Sequence, residues 1–404
     1  MQGIDLTDPY VQIASATFII ILSFVYGRIA RKTRVPSVLM LIGTGIAIKL
    51  VIQKAGVEQL HLMPVLQILG ILGAIMIVLE AALELHLDRD KIKVILRSFF
   101  ISLLTLVGTA AGVAVMIQGL FGASFLQSML YAVPLGILSS VILIPSIEGL
   151  NDKKKEGLVY ETSFSDILGI MFFYFLINML ESGGPTATLE FGISLVVTIV
   201  VAILACYGLV FMFKDIQRDT RLFLLIAVLL LLYSLGVLVQ LSPLLFILVF
   251  GLFLANHERF FRVFKNWDTD EDPVARINEE FHLITKEASF VIRTFFFVIF
   301  GMTIDLASLL DGKVLLISLG VLAVIFVVRF LFLRVLLGKD ILPEVWLAPR
   351  GLVSILLYFA IPATYQMQGF SNGVLLYVII LTSLVMTFAL MWYKPPPESG
   401  GVDA

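Results

Sequence analysis

The chain has 404 residues, of which 59% are hydrophobic and only 14% charged, with a formal net charge of −2 and a mean hydropathy of +1.03. Soluble domains carry about 25% charged residues, so this composition excludes a soluble multidomain protein and indicates a protein that crosses the membrane repeatedly. A single cysteine, Cys206, excludes an intrachain disulfide and a cysteine metal site. No cofactor motif and no basic cluster with interleaved aromatic residues is present, so neither a cofactor nor a nucleic-acid partner is expected.

Hydrophobic runs long enough to cross a bilayer predict about 13 transmembrane helices in one integral membrane domain, residues 1–404. Charged or Gly/Pro-rich breaks separate them, and the segment from His257 to His282 is the one long loop. The predicted spans are 9–29, 35–53, 64–86, 94–119, 125–149, 158–180, 188–213, 221–240, 242–256, 284–307, 313–337, 342–364 and 373–393. We therefore expect an all-α polytopic fold.

Basic residues predict the orientation of these spans, because Lys and Arg concentrate in cytoplasmic loops. Alternate breaks are rich in them, and the intervening breaks hold Lys54, Lys313 or none. The basic breaks contain Arg28, Arg31, Lys32 and Arg34; Arg89, Lys91, Lys93 and Arg97; Lys153, Lys154 and Lys155; Lys214, Arg218 and Arg221; Arg259, Arg262 and Lys265; and Lys339. The N-terminus is thus predicted outside and the C-terminus in the cytoplasm, in the plasma (inner) membrane.

Two segments seven spans apart suggest an internal duplication. The residues 78–85 in span 3 are similar to 298–306 in span 10, and each is followed by one plain span and then by a span with a polar or proline interruption. The interruptions are Ser139-Ser140, between Pro134 and Pro145, and Pro349-Arg350-Gly351. Units related in this way have opposite orientations, which is typical of the inverted repeats of secondary transporters with interrupted helices crossing near the midplane.

The sixth span opens with a polar cluster at membrane depth, Glu161-Thr162-Ser163-Phe164-Ser165-Asp166. A charge there costs roughly 2.5–3.5 kcal/mol, so an intramembrane aspartate is a candidate for binding an ion or a proton. Thr162 and Asp166 are four residues apart and share a helix face. Their oxygens suit a small hard cation such as sodium. In the alternative interpretation, the cluster caps the cytoplasmic end of the span.

Two further groups are candidates for the same chemistry. Glu80 lies one turn deeper in span 3 than Glu84 and is flanked by apolar residues, which favours a function over a solvated surface position. Ser139 and Ser140 mark backbone that could unwind and offer carbonyl oxygens to an ion. Serines also bond back to their own helix, which leaves a structural alternative open.

Two arginines lie in apolar surroundings. Arg329 occupies a wholly apolar run of span 11, with snorkelling to the nearby cytoplasmic end as the alternative. Arg350 lies in the interrupted span 12 and needs a carboxylate partner if it is buried. Glu161 is the predicted partner.

Five motifs, in this order and spacing, resemble the monovalent cation–proton antiporter superfamily, the bacterial sodium–proton exchangers of NhaA-like fold. The likeness covers nearly the whole chain. The motifs are Arg34-Val35-Pro36-Ser37-Val38-Leu39, Leu79-Glu80-Ala81-Ala82-Leu83, Glu161-Thr162-Ser163-Phe164-Ser165-Asp166, Phe296-Phe297-Val298-Ile299-Phe300-Gly301-Met302 and Pro349-Arg350-Gly351-Leu352-Val353-Ser354.

The resemblance implies a homodimer in which a six-helix core slides against a dimerisation scaffold. Residues 1–90 and 221–307 would form mainly the scaffold, 94–180 and 313–393 the core, and 188–213 a linker helix. Asp166 would bind sodium and protons in competition, with Thr162 adding a hydroxyl and Glu80 a nearby carboxylate. Glu161 with Arg350 would form a structural ion pair, and Arg329 would supply the core charge.

The chain departs from the family pattern at two places. Ser165 stands where the family has Asn or a second Asp, and Ser139-Ser140 replaces a Thr-Asp-Pro motif. Without a paired aspartate, the resemblance favours electroneutral exchange of one sodium (or lithium) for one proton, although Glu80 could supply a second titrating group. Potassium–proton exchange and a solute symporter of similar architecture remain alternatives. An intramembrane enzyme is not expected, because the spans contain no HExxH, GxSxG or Ser–Lys arrangement.

Overall fold

The computed structural model describes residues 9–54, 62–85, 91–182, 185–213, 227, 229–231, 233–234, 236, 243–256 and 273–393. These parts of the chain are helical and contain no β-strand. The helices are α1 Pro9–Thr33, α2 Ser37–Lys54, α3 Met63–Glu84, α4 Ile92–Phe121, α5 Phe125–Gly136, α6 Ser140–Ser146, α7 Asp152–Ser182, α8 Pro185–Phe213, α9 Pro243–Ala255, α10 Pro273–Thr303, α11 Gly312–Leu337, α12 Leu352–Phe359 and α13 Asn372–Trp392.

The predicted all-α membrane fold is confirmed. Among the described residues, eight helices are long and apolar enough to cross a bilayer, the interrupted Phe125–Ser146 unit among them. Most of the predicted span 221–240 lies outside the described residues. The predicted long loop from His257 to His282 is wrong in its second part, because α10 is already helical from Pro273. Proline suits the first turn of a helix, where its missing N–H needs no partner.

Both predicted interruptions are present and they touch each other. The chain leaves helical geometry at Ile137 and re-enters it at Ser140. The second break separates a short 3₁₀ turn, Glu344–Trp346, from α12, which begins at Leu352. Pro349 contributes to this break, because proline has no N–H and disfavours helical geometry in the residue before it. The Ser139 N–H donates to the Pro349 carbonyl at 2.9 Å, which joins the two interrupted units of the inverted repeat.

The helices fall into two packing groups around these breaks. In one group, α10 lies against α2 and α3, and α9 lies against α3. In the other, α4 packs against α5, α7 and α11, and α11 packs against α13. Helix α8 contacts α7 and α9, one helix from each group. The division into a sliding core and a dimerisation scaffold stays a prediction.

Two glycines allow α2 and α10 to cross at very short range. A methyl group built on Gly45 would lie 2.0 Å from the carbonyl oxygen of Val298, and one built on Gly301 would lie 2.3 Å from that of Ile42. Since these obstacles are backbone atoms, neither helix can accommodate a side chain without moving. The small residue at position 45 is therefore a packing requirement of this crossing.

We expect Gly45→Ala to lower the thermal stability of the detergent-solubilised protein, with a cost of about 1–3 kcal/mol or more from overpacking. Gly43→Ala is the matched control, because a methyl group there meets nothing within 4 Å on the same helix. Alanine also favours helix over glycine by about 1 kcal/mol, so the control should be neutral or slightly stabilising. Equal melting temperatures for the two variants would contradict the close crossing.

Candidate functional site

Asp166 is buried in the interior of the protein and only 1% exposed. Its Oδ2 accepts a hydrogen bond from the Ser140 hydroxyl at 2.6 Å, and the Ser140 backbone N–H also faces the carboxylate. Its Oδ1 is buried and has no hydrogen-bond partner among the described residues. The carboxylate is thus held by the start of α6 through one oxygen, and its other oxygen is free to accept a further bond.

Helix α7 brings this carboxylate against the first interruption. Asn151 begins the helix by accepting from the Lys154 N–H at 3.0 Å, and the helix continues without a break to Ser182. One turn beyond Asp166, Gly169 permits close approach, because a methyl group there would lie 2.4 Å from side-chain atoms of Ile137. The extended residues 137–139 therefore lie directly beside the face of α7 that carries Asp166.

Ser165 fixes the backbone of the interrupted segment. Its buried hydroxyl oxygen accepts from the Leu138 N–H at 2.9 Å. An extended segment in a membrane protein leaves backbone donors without helical partners, and each unsatisfied group is costly there. In the structure its hydroxyl supports residues 137–139, and the predicted role of Ser165 in binding the ion or the proton stays a prediction.

Replacing Ser165 with alanine should destabilise the protein by about 1–3 kcal/mol, because the buried Leu138 N–H loses its acceptor. Ser163→Ala is the matched control on the same helix, since the buried Ser163 hydroxyl has no partner among the described residues. Thermal unfolding in detergent compares the two. A Ser163→Ala variant as unstable as Ser165→Ala would count against this assignment.

The Thr162 hydroxyl lies on the same helix as Asp166, four residues earlier, and is fully buried. It donates back to the carbonyls of Leu158 and Val159, both at 3.0 Å. Its proton is committed to the helix, while its oxygen retains lone pairs. The alternative in which Thr162 caps the helix is excluded, because α7 already begins at Asp152.

Ser139 lies where the two interrupted units meet. Besides its backbone bond to Pro349, its side chain occupies the space beside Gly351, where a methyl group would lie 2.2 Å from the Ser139 hydroxyl oxygen. Ser139 therefore belongs to the crossing itself, and Ser140 is the serine that contacts Asp166.

The predicted ion pair between Glu161 and Arg350 is replaced by a pair between Glu161 and Arg329. The two Arg329 Nη groups donate to the two Glu161 carboxylate oxygens at 2.5 and 3.3 Å. Arg329 is buried and its Nε donates to the Glu344 carbonyl at 2.8 Å. The snorkelling alternative for Arg329 is thereby excluded. Local patterns could not choose between the two buried arginines, because both lie in apolar surroundings far from Glu161 along the chain.

Arg350 instead donates hydrogen bonds to backbone carbonyls near the two interruptions. Its Nε donates to the Leu135 carbonyl at 2.7 Å and its Nη1 to the Ala348 carbonyl at 2.9 Å. Its own N–H donates to the Thr382 hydroxyl at 3.2 Å. Carbonyls at the end of a helix or in a break lack N–H partners from the helix, and the buried guanidinium satisfies one at the end of α5 and one in the second break.

Glu80 lies among charged groups of another helix. It is partly buried on α3, and the charged groups that act on it, Arg293, His282 and Lys286, all belong to α10. No interaction with Glu80 contributes to the electrostatics of Asp166 among the described residues. The main charged neighbour of Glu80 is thus Arg293, and a second carboxylate near the ion stays a prediction.

Sequence reasoning missed the roles of Glu344 and Lys154 in organising the site. Glu344 accepts from Arg329 through its carbonyl, and its carboxylate pairs with Lys154 at 2.9 Å. Both residues stand next to charged, interfacial stretches, where a solvated position is the ordinary expectation. An acidic residue inside the predicted span 342–364 was the available signal.

Comparison with known proteins shows a family and a fold to which this chain is similar. Residues 18–394 match the family model described as sodium/hydrogen exchanger, transmembrane. The fold is similar to that of the sodium proton antiporter MjNhaP1 from Methanocaldococcus jannaschii at pH 8, with a TM-score of 0.68 and 19% identity over 95% of each chain. An electron-microscopy structure of the same antiporter gives a TM-score of 0.65 and 19% identity over 96% of this chain and 100% of that one. No curated protein sequence gives a significant match.

Proposed function

Because the chain belongs to the sodium/hydrogen exchanger family, which consists of transporters and not enzymes, we propose that it exchanges sodium for protons at Asp166. The observation that carries the proposal is the buried carboxylate itself. One oxygen is held by Ser140 and the other has no partner among the described residues. A bare carboxylate at this depth is strongly disfavoured, so the site favours an occupant that neutralises it.

Exchange follows from the competition of two occupants for one charge. A proton and a sodium ion each neutralise Asp166, but they cannot both do so at once. The loaded, neutral site crosses between the two sides of the membrane, and the empty, charged site does not. Inward movement of one ion is then coupled to outward movement of the other.

The oxygens around Asp166 suit a small hard cation. The free Oδ1 of Asp166 and the lone pairs of Thr162 and Ser140 are all oxygen donors. Carboxylate, hydroxyl and carbonyl oxygens prefer alkali and alkaline-earth cations over soft metals. A single negative charge selects a monovalent ion, and sodium is the occupant we propose.

The charge balance supports one-for-one exchange. Asp166 faces no second carboxylate among the described residues that act on it, and Glu80 is balanced by Arg293. Loading the site with either ion adds one positive charge, so the core carries the same net charge in both directions. The exchange we propose is therefore electroneutral.

The larger assembly is proposed on the same basis. Residues 94–180 and 313–393 form the moving core, 1–90 and 221–307 the scaffold of a homodimer, and 188–213 the linker. Exposed apolar side chains on α1 and α8, among them Phe18 and Val196, suit contact with lipid or with a second copy. The N-terminus lies outside and the C-terminus in the cytoplasm, as the basic breaks predict.

Proteoliposomes with an internal pH dye test the proposal. Sodium or lithium added to acid-loaded vesicles should raise the internal pH, while potassium or an organic anion should not. Clamping the membrane potential should leave the rate unchanged, because an electroneutral cycle moves no net charge. A cycle that moved one net charge would gain or lose about 2.3 kcal/mol per 100 mV. A response to potassium alone would support the potassium exchanger, and a flux that requires an organic solute would support the symporter. A rate that depends on the membrane potential would refute electroneutrality.

A further inference from the structure

A polar cavity lies away from Asp166, which is not among its lining residues. It has a volume of about 250 Å³ and lies between α4, α7 and the segment from Leu337 to Glu344. Charged side chains line it: Arg97, Lys153, Lys154, Glu161, Asp340 and Glu344. A charged lining is not needed for apolar packing. What the cavity can bind depends on which of these charges are already paired within the protein.

All three carboxylates of the cavity are already paired. Glu161 is bound by Arg329, and Lys154 holds Asp340 at 2.8 Å and Glu344 at 2.9 Å. Lys154 also donates to the Leu342 carbonyl at 2.8 Å. Its donors are thus used within the protein, and a cation entering the cavity would find no uncompensated acid.

The unpaired charges of the cavity are both positive. Arg97 and Lys153 have no hydrogen bond or ion pair within the part of the chain that the structure describes, and the buried Arg97 Nε lacks an acceptor there. A buried guanidinium donor without a partner is costly. Counting Arg329 with the six lining charges gives four cations and three anions, so the site has an excess of positive charge.

The cavity also lies at a depth that a phosphate can reach. Lys91 immediately precedes α4 and Lys93 lies in its first turn, one to two turns before Arg97, and both are exposed. Lys153 lies in the first turn of α7. This end belongs to the basic, cytoplasmic side by the positive-inside rule. Basic pockets between transmembrane helices on that side bind the headgroups of anionic lipids, and Arg with Lys is a favourable pair for phosphate oxygens.

We propose that this cavity binds a phosphate group, with Arg97 and Lys153 as its ligands. The phosphate comes from an anionic phospholipid of the inner leaflet or from free phosphate, which present the same anionic oxygens. Its binding joins α4 to α7 beside the Glu161–Arg329 and Lys154–Glu344 pairs, and therefore stabilises the cytoplasmic end of the core.

Thermal unfolding of the detergent-solubilised, full-length protein tests this inference without any transport assay. The probes are short-chain phosphatidylglycerol, short-chain phosphatidylcholine and inorganic phosphate, each compared with a chloride control of equal ionic strength. A ligand that binds only the folded state at saturating concentration should raise the melting temperature by about 3–6 °C. We expect phosphatidylglycerol or phosphate to do so, and phosphatidylcholine to have a smaller effect.

Variants separate this site from a general effect of anions. R97Q and K153Q should each lose most of the shift, and Arg97→Lys, which keeps the charge, should retain a substantial part. Lys32→Gln is the matched control, because Lys32 is an exposed basic residue on the same side that does not line the cavity. A shift with phosphatidylglycerol alone identifies a lipid headgroup, and a shift with phosphate as well identifies the free anion.

Two results would overturn the proposal. One is the absence of a shift with every phosphate-bearing probe in the wild-type protein. The other is a shift that R97Q and K153Q retain in full. If R97Q fails to fold, K153Q alone still tests the second result. Lys153 is exposed and makes no contact, among the described residues, whose loss would unfold the protein. Since none of these readouts involves sodium, the result is independent of the exchange at Asp166.

Discussion

Replacing Asp166 with asparagine should reduce sodium-dependent proton movement in proteoliposomes to the level of empty vesicles, while the protein stays folded. Asparagine has nearly the same shape and can still accept the hydrogen bond from Ser140. It carries no charge, so neither a proton nor a sodium ion is needed to neutralise the buried site. The substitution removes the competition on which exchange rests.

The same substitution removes a buried charge, and we therefore expect the melting temperature of Asp166→Asn to equal or exceed that of the wild type. Asp311→Asn is the matched control. Asp311 accepts from the Lys313 N–H at the start of α11, and asparagine caps helices as well as aspartate does. Normal exchange by Asp166→Asn, with a folded protein, would refute the assignment of the ion site.

Replacing Arg329 with glutamine should be among the most destabilising single changes in the core. It leaves the Glu161 carboxylate buried without its counter-ion, and breaking a buried pair by removing one partner costs about 3–5 kcal/mol. The double variant Glu161→Gln with Arg329→Gln should recover part of this loss, because neither member of the pair is then left as an unpaired charge. The expected coupling between the two positions is about 0.5–3 kcal/mol in a double-mutant cycle.

A second cycle, between Glu161 and Arg350, provides the control. Arg350 donates to the Leu135 and Ala348 carbonyls, which every variant keeps, so removing Glu161 should change the effect of Arg350→Gln much less. Melting temperatures of the single and double variants measure both couplings. A larger coupling at Glu161–Arg350 than at Glu161–Arg329 would restore the pairing predicted from the sequence and contradict the structure.

Local sequence was sufficient for the apolar parts of the helices that the structure describes and for the two interruptions. Insertion of a helix depends on the hydrophobicity of about 20 consecutive residues, and a break depends on prolines, glycines and serines close together, as at Ser139-Ser140 and Pro349-Arg350-Gly351. The depth of Asp166 within a long apolar run was enough to predict an intramembrane carboxylate. These properties belong to short stretches of chain, so no knowledge of distant residues is needed.

Hydropathy alone did not show where α10 begins. The residues from Pro273 onward are charged and fall outside a hydropathy window, yet they are helical up to Thr303. A polar helix that extends beyond the membrane carries no hydrophobic run, and its presence has to be judged from helix-forming residues and from the apolar helix that continues it. The hydropathy of the chain therefore marked the membrane part of this helix and missed the rest.

By itself the sequence determined a polytopic helical protein with two broken spans and one aspartate deep in the membrane. Only the tertiary structure decided which distant groups meet: Ser140 with Asp166, Ser165 with the Leu138 backbone and Arg329 with Glu161. It also decided that the charge of Arg293 acts on Glu80. Glu161 and Arg329 are 168 positions apart. Which of two buried arginines reaches a carboxylate depends on the rotation of each helix and on where the broken backbone needs donors, and these are set by the packing of the whole fold.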